Sequence, residues 1–403
     1  MQTLAQLKAG ELRGITHLKI SEQLTEFPME ILDLAETLEV LDLSGNQLNA
    51  FPAEFAQLTK LKIIFASNNP FTTLPEILGR CPNLEMIGFK SCAIKEVPAN
   101  SLPPKLRWLI LTDNNIEQLP DTLGQCVHLK KLALAGNQLT SLPQSMLHCH
   151  ELELVRISAN QLTECPDQLL NLPKLAWFAF SGNPFSQHNL ELDTVPCVDF
   201  SQLELHHVLG QGASGVISKA TWTYNEHQLP DEVAVKVFKG EVTSDGYPND
   251  ELQACLKAGS HPNLVKSLAQ VQQPDNLALI MDLIPSHYQN LGLPPTLATC
   301  TRDTFPADFS LEQTQIDKIV QQMRDVFNHL HQNKVCHGDL YAHNTLFDRD
   351  ANILVGDFGA ASMYHMLSES QQQQIRQIEQ RALEHFIDDL ASICVQTPDK
   401  IVA

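Results

Sequence analysis

"VCHGDLYAHNTLF", residues 335–347, sets an aspartate, Asp339, five residues ahead of an asparagine, Asn344. A carboxylate in that position can accept a proton from, or orient, an attacking hydroxyl, and an amide oxygen five residues on can hold a magnesium ion. His337 fits a brace for the loop better than an acid–base group. Upstream, Ile316, Ile319, Val320, Met323, Phe327 and Leu330 recur at helical spacing, and Ser310 with Gln313 reads as the capping box that opens this helix. Downstream, "LVGDFGAAS" (354–362) has the form of a strand and turn, and its Asp357 is a second candidate metal ligand.

Further upstream, "VLGQGASGVISKA" (208–220) carries Gly210, Gly212, Gly215 and Val216 in GxGxxGxV order. The same glycines could open a dinucleotide-binding unit, but such a unit needs a helix at once and an acidic residue about 20 positions later. Here β-prone "VISKATWTY" runs on to "EVAVKVF" (232–238), which predicts a strand–loop–strand flap followed by a strand that bears Lys236. Glycines at those positions let backbone amides approach phosphates without a side chain between them. "NDELQACLKAGSHPNLVKSL" (249–268) is compatible with a short helix whose Glu251 pairs with Lys236, with Asp250 and Glu241 as competitors. "LALIMDLI" (277–284) reads as a buried strand that ends in a polar, proline-containing loop.

The first half is a repeat. Blocks begin at Leu38, Leu61, Leu84, Leu106, Leu129, Leu152 and Leu175, in steps of 22 or 23 residues, and read LxxLxLxxNxL or a close variant, as in "LKKLALAGNQL" (129–139). This is a leucine-rich-repeat signature: the leucines point inward from a short strand, and the asparagine bonds the backbone of adjoining turns. Asn46, Asn69, Asn114, Asn137, Asn160 and Asn183 occupy the ladder position, Cys92 replaces it once, and "HLKISEQLTEFP" (17–28) is an imperfect capping coil. The outward strand positions are Val40, Ile63, Met86, Trp108, Lys131, Leu154 and Trp177, with Phe65 and Ile110 two residues further along their strands. That face is expected to be half exposed. Two of the chain's three tryptophans lie on it, which points to a protein partner anchored by Trp108 and Trp177, or to a neighbouring part of the chain folded over them.

Bulk properties narrow the function classes. A net charge of −20 opposes a nucleic-acid polymer or an anionic membrane surface. No segment has the 18 or more apolar residues of a span, and the N-terminus lacks the form of a secretion signal, so a cytoplasmic protein is expected. Ten cysteines without a CxxC pair, three of them in one phase of the repeat, read as packed thiols.

GxGxxGxV, VAVK, HxDxxxxN and DFG, in that order over residues 200–395, resemble the protein kinase superfamily. The whole is similar to bacterial-type leucine-rich-repeat proteins with a kinase-like C-terminal domain. The resemblance implies ATP, magnesium and transfer of the γ-phosphoryl group. The glycine loop would cover phosphates, Lys236 hold them, Asp339 act as base, and Asn344 with Asp357 bind metal. Asp282 to Ile284 would form the adenine-facing hinge, with Met281 as gatekeeper. Three departures stand out. Gly338 replaces an arginine that in many kinases reads an activation-loop phosphate, and Tyr341 replaces a lysine near the γ-phosphate. After Gly359 no APE-like motif occurs in the remaining 44 residues, and Glu379, on a helix-like tract, would replace the aspartate that braces the catalytic loop.

The expected architecture is an α/β leucine-rich-repeat solenoid over 1–195, then a two-lobed α+β kinase-like domain over 196–403 with a shortened C-terminal lobe. The expected function is an ATP- and magnesium-dependent serine/threonine kinase whose repeats recruit a protein. A non-catalytic scaffold and a small-molecule kinase are the alternatives.

Overall fold

The structure, a computed structural model, describes residues 2–186, 195–212, 214–240, 242–243 and 245–395. The chain forms two compact units: Met1–Leu175 with Gly182–Gln187 and Val242–Gly246, and Ala176–Ser181 with His188–Glu241 and Tyr247–Ala403.

In the first unit a short helix, α1 (Leu4–Lys8), precedes the strands β1 (His17–Lys19), β2 (Val40–Asp42), β3 (Ile63–Phe65), β4 (Met86–Gly88), β5 (Trp108–Ile110), β6 (Lys131–Ala133) and β7 (Leu154–Arg156). They pair in parallel and in chain order, and the strand that follows them in sequence, β8 (Trp177–Ala179), belongs to the second unit. Proline-led 3-10 turns, and once a short helix, α2 (Asp167–Leu170), return the chain between strands, except between β4 and β5. The leucines face inward: Leu41, Ile64, Ile87, Leu109, Leu132 and Val155 are all fully buried. Each coil is too small to enclose a core, so stability comes from stacking on the next. The asparagine ladder supplies the polar part of that stacking. Asn137 accepts from Ile116 N at 3.1 Å and donates to Leu111 O of the preceding coil at 2.9 Å, and Asn160 and Asn183 repeat the pattern one and two coils on. At the break, Cys92 Sγ offers only a weak contact to Ala66 O, at 3.5 Å. The ten cysteines are free, and burial pushes the thiols of Cys81 and Cys149 up to about 11.

The second unit contains a five-stranded antiparallel sheet of β9 (Leu203–Gln211), β10 (Gly215–Trp222), β11 (Glu232–Phe238), β12 (Ser267–Gln273) and β13 (Asn276–Asp282), in the order β12-β13-β11-β10-β9. Val233, Val235, Ala278, Ile280 and Val271 lie in its core, each buried valine or isoleucine contributing roughly 1.5–3 kcal/mol. The helix α3 (Pro248–Ala258) packs with Leu252 and Leu256 against Phe238 and Leu279.

The remaining elements are β14 (Gln289–Asn290), α4 (Gln313–Gln332), β15 (Val335–Cys336), β16 (Thr345–Phe347), β17 (Ile353–Val355), β18 (Ser362–Met363) and α5 (Glu369–Ala391). The helix α4 buries the expected face from Ile316 to Leu330. Its cap lies two residues later than expected, because Glu312 and Gln315, rather than Ser310 and Gln313, make the reciprocal capping contacts. Ser368 caps α5 in the same way with Gln371.

Candidate active site

The glycine loop is the hairpin between β9 and β10. Nothing lies within 4 Å of where a Cβ would stand on Gly210 or Gly212, which leaves that backbone open to a ligand. Gly215 is glycine for a packing reason: a Cβ there would stand 2.4 Å from the carbonyl oxygen of Val237. Val216 lies opposite Val237 and Gln211 in the two ladders.

On the central strand, Lys236 sits opposite Ile217 and Leu279 and is 9% exposed. Its ammonium pairs with Glu251, which α3 presents at 3% exposure. Burial alone would weaken the lysine's charge, but the carboxylates of Glu251 and Asp357 outweigh it and hold the ammonium above its ordinary range. Of the competitors, Asp250 pairs with no lysine, and Glu241 lies outside the described residues. Asp282 and Ile284 are half-buried at and beyond the end of β13, where Asp282 N donates to Lys266 O at 3.0 Å.

The catalytic-loop residues are held by a dense set of contacts. Asn344 Nδ2 donates to Asp339 Oδ2 at 2.7 Å and to Asp339 O at 3.1 Å, so the amide nitrogen is committed to Asp339 and the amide oxygen is turned elsewhere. His337 is fully buried. Its Nε2 donates to Gly356 O at 3.0 Å while Nδ1 accepts from Asp339 N at 3.3 Å, a pattern that a single neutral tautomer satisfies. Glu379, 3% exposed on α5, accepts from His337 N at 2.8 Å and from Gly338 N at 3.1 Å through Oε1, and meets His331 Nε2 through Oε2 at 3.1 Å. Asp357 adopts a left-handed φ of 53°, an uncommon conformation for a residue with a side chain.

Asn344 and Asp357 offer hard oxygen ligands of the kind magnesium takes. Among the described residues no group of three or more His, Cys, Asp or Glu could hold a metal as a resident ion. Such a donor set fits a magnesium ion that completes its coordination with water and nucleotide phosphates. The open glycine backbone and the buried ammonium of Lys236 fit those phosphates.

Sequence reasoning missed Asp303 and Arg302 and gave Trp177 a different role. Asp303, 8% exposed, accepts from the backbone of Ala342 and His343 and meets His343 Nδ1 at 2.7 Å. Arg302, beside it, pairs with Asp389 of α5. Trp177 belongs to this unit: its Nε1 donates to Leu340 O at 2.8 Å and its ring stacks on Tyr341. No local pattern reveals these contacts, because every partner is distant in sequence.

The outward row of the repeats is half exposed as expected at five apolar positions and departs from that expectation at Met86, Leu154 and Trp177. Val40, Ile63, Phe65, Trp108 and Ile110 are half-buried, and Lys131 Nζ lies 4.2 Å from the centre of the Trp108 ring. Met86, Leu154 and Trp177 are 5%, 3% and 1% exposed. Trp177 in particular is not a water-facing anchor, because both the face and the N–H of its indole are already engaged.

Residues 203–378 match the family described as protein kinase domain, and residues 37–58 and 104–162 match leucine-rich-repeat families. A putative serine/threonine-protein kinase/receptor of Acanthamoeba polyphaga mimivirus is 29% identical over 172 residues, 40% of this chain and 9% of the relative. The serine/threonine-protein kinase PITSLRE of Drosophila melanogaster is 26% identical over 172 residues, 42% of this chain and 17% of the relative. The chain thus spans less than a fifth of the length of either. A solved leucine-rich-repeat protein of Leptospira interrogans shares 28% identity, with a TM-score of 0.41, over 44% of this chain and 46% of its own. The chain combines leucine-rich repeats with a protein kinase domain. No helix among the described residues is long and apolar enough to cross a membrane.

Proposed function

We propose that the chain is an ATP- and magnesium-dependent protein kinase that phosphorylates serine or threonine hydroxyls, works in the cytoplasm, and uses its repeats to recruit a protein substrate or partner. The observation that carries this reading is the assembled state of both halves of the site. Lys236 is paired with Glu251 on one side, and Asp339 is oriented by Asn344 and by His337 on the other. ATP with magnesium supplies the transferable phosphoryl group and the charge neutralisation it needs.

Lys236 binds and orients phosphate oxygens, with Glu251 fixing its direction. Asp339 Oδ orients the acceptor hydroxyl and takes its proton as the oxygen attacks. Asn344 and Asp357 provide oxygen ligands to the ion. The hydroxyl of Tyr341 brings no positive charge to the reacting oxygens, which favours a modest turnover. The half-buried apolar row from Val40 to Ile110 is the proposed partner surface, with Trp108 as its anchor.

A second reading, phosphorylation of a small molecule, is favoured by one feature. Nine residues, 360–368, join Gly359 to the first residue of α5, which leaves little chain for a peptide-binding platform.

The test is a thermal shift. At about 100-fold excess over the dissociation constant, ATP with magnesium should stabilise the kinase domain by about 2.7 kcal/mol. Asp339→Asn should keep that shift and lose at least about a thousandfold in phosphoryl transfer. No shift would remove the nucleotide reading. A shift without transfer to any protein or small-molecule acceptor would leave a non-catalytic scaffold.

A further inference from the structure

The six residues Ala176–Ser181 contact the catalytic loop at several points. The Trp177 ring stacks on Tyr341 with centroids 4.7 Å apart and planes 6° apart, and on His385 of α5 at 5.2 Å and 14°. The same indole donates from Nε1 to the carbonyl of Leu340. Three and four positions on, the amides of Phe180 and Ser181 donate to Ser362 Oγ at 2.9 and 3.1 Å, and Ser362 lies opposite Cys336 in the β15–β18 ladder. The Phe178 carbonyl oxygen would stand 3.0 Å from a Cβ on Gly338, which itself has a φ of 72°.

We infer that Trp177 is a positioning residue for the phosphoryl-transfer site: its indole fixes the Leu340–Tyr341 peptide and thereby the direction of Asp339, with no covalent modification required. The inference rests on the kinase reading. The Leu340–Tyr341 peptide can move in two ways, by a turn of its carbonyl about the flanking backbone bonds and by a shift of the Tyr341 ring. Trp177 restrains both, one by the N–H donor and one by the stack. Glu379 holds the loop immediately before this point and Asp303 immediately after it. Gly338 acquires a reason here. A side chain in its place would stand 2.5 Å from the carbonyl oxygen of Ala360 and 3.0 Å from that of Phe178 on the strand that carries Trp177, so the loop has close backbone packing where many kinases carry an arginine.

The test uses the full chain and two variants. Trp177→Phe keeps a stacking ring and removes the N–H, while Trp177→Ala removes both. Hydrogen exchange of amides 338–344 should quicken by at least about threefold in Trp177→Phe and more in Trp177→Ala, while amides of β11 stay as in the wild type. Turnover should fall about tenfold in Trp177→Phe with KM for ATP within about twofold of wild type, and further in Trp177→Ala. If Trp177→Ala does not fold, Trp177→Phe alone decides. Wild-type protection of residues 338–344 in the variants overturns the inference, as does wild-type turnover alongside quickened exchange. Quickened exchange in a protein whose wild type transfers no phosphate overturns the kinase reading and leaves the hold of Trp177 on the loop established.

Discussion

The two sides of the candidate site are built in different ways. On the nucleotide side the parts are close in sequence: Lys236 and Glu251 are 15 residues apart, and the glycine hairpin pairs directly with the lysine strand. On the acceptor side they come from far away, with Trp177 163 residues from Leu340, Glu379 42 from His337, and Asp303 39 from Ala342. Local construction leaves a motif that a sequence displays. Remote construction leaves single residues whose roles appear only once the chain has folded, and the departures from family pattern, Gly338, Tyr341 and Glu379, all fall on that side.

The largest loss on the acceptor side is expected from Gly338→Ala. The residue has a φ of 72°, and an added Cβ would stand 2.5 Å from the carbonyl oxygen of Ala360 and 3.0 Å from that of Phe178. A left-handed alanine costs about 1–2 kcal/mol and the forced backbone shift about as much again. Chemical denaturation should therefore report a loss of about 3 kcal/mol in the kinase-domain transition. A loss below about 0.5 kcal/mol would mean that the loop tolerates a side chain and that the close approach is incidental.

Glu379 comes next. Glu379→Ala leaves two buried amides, those of His337 and Gly338, without their acceptor, a cost of about 2–3 kcal/mol. Glu379→Gln retains an amide oxygen for both and should cost less than about 1 kcal/mol. Equal losses in the two variants would show that the negative charge, not the acceptor geometry, holds the loop.

These contrasts explain what the sequence made legible. The 22- or 23-residue step announces the solenoid because each coil solves the same packing problem, so the core leucines and ladder asparagines recur. The order of glycine loop, lysine strand, catalytic loop and DFG announces the kinase domain. The repeat spacing marks Trp177 as an outward position but leaves open whether a partner or another part of the chain meets it, and in the fold it is covered by the chain's own Tyr341 and Leu340. The Gly338 position reads in sequence as an arginine lost. In the fold it is space required by two carbonyl groups.

The smallest effect returns to the nucleotide side and to the residue beside the glutamate. Asp250 stands in the first turn of α3, one of its carboxylate oxygens is buried without a hydrogen-bond partner, and burial pushes its carboxyl up to about 6. The sequence favours Glu251 as the partner of Lys236 and leaves Asp250 and Glu241 as competitors. The helix phase gives the lysine to Glu251 and leaves Asp250 partly desolvated with no counter-charge. Because the folded state holds this proton more tightly than the unfolded chain, stability falls as pH rises from about 4 to about 6 and stays lower above that window. Asp250→Asn removes the charge while keeping the shape. It should stabilise the kinase domain by about 2 kcal/mol at pH 8 and by almost nothing near pH 4. Melting both proteins across that range separates the electrostatic cause from a packing one: a gain that is the same at both ends would place the benefit in packing, and no gain at pH 8 would mean that water reaches the carboxylate.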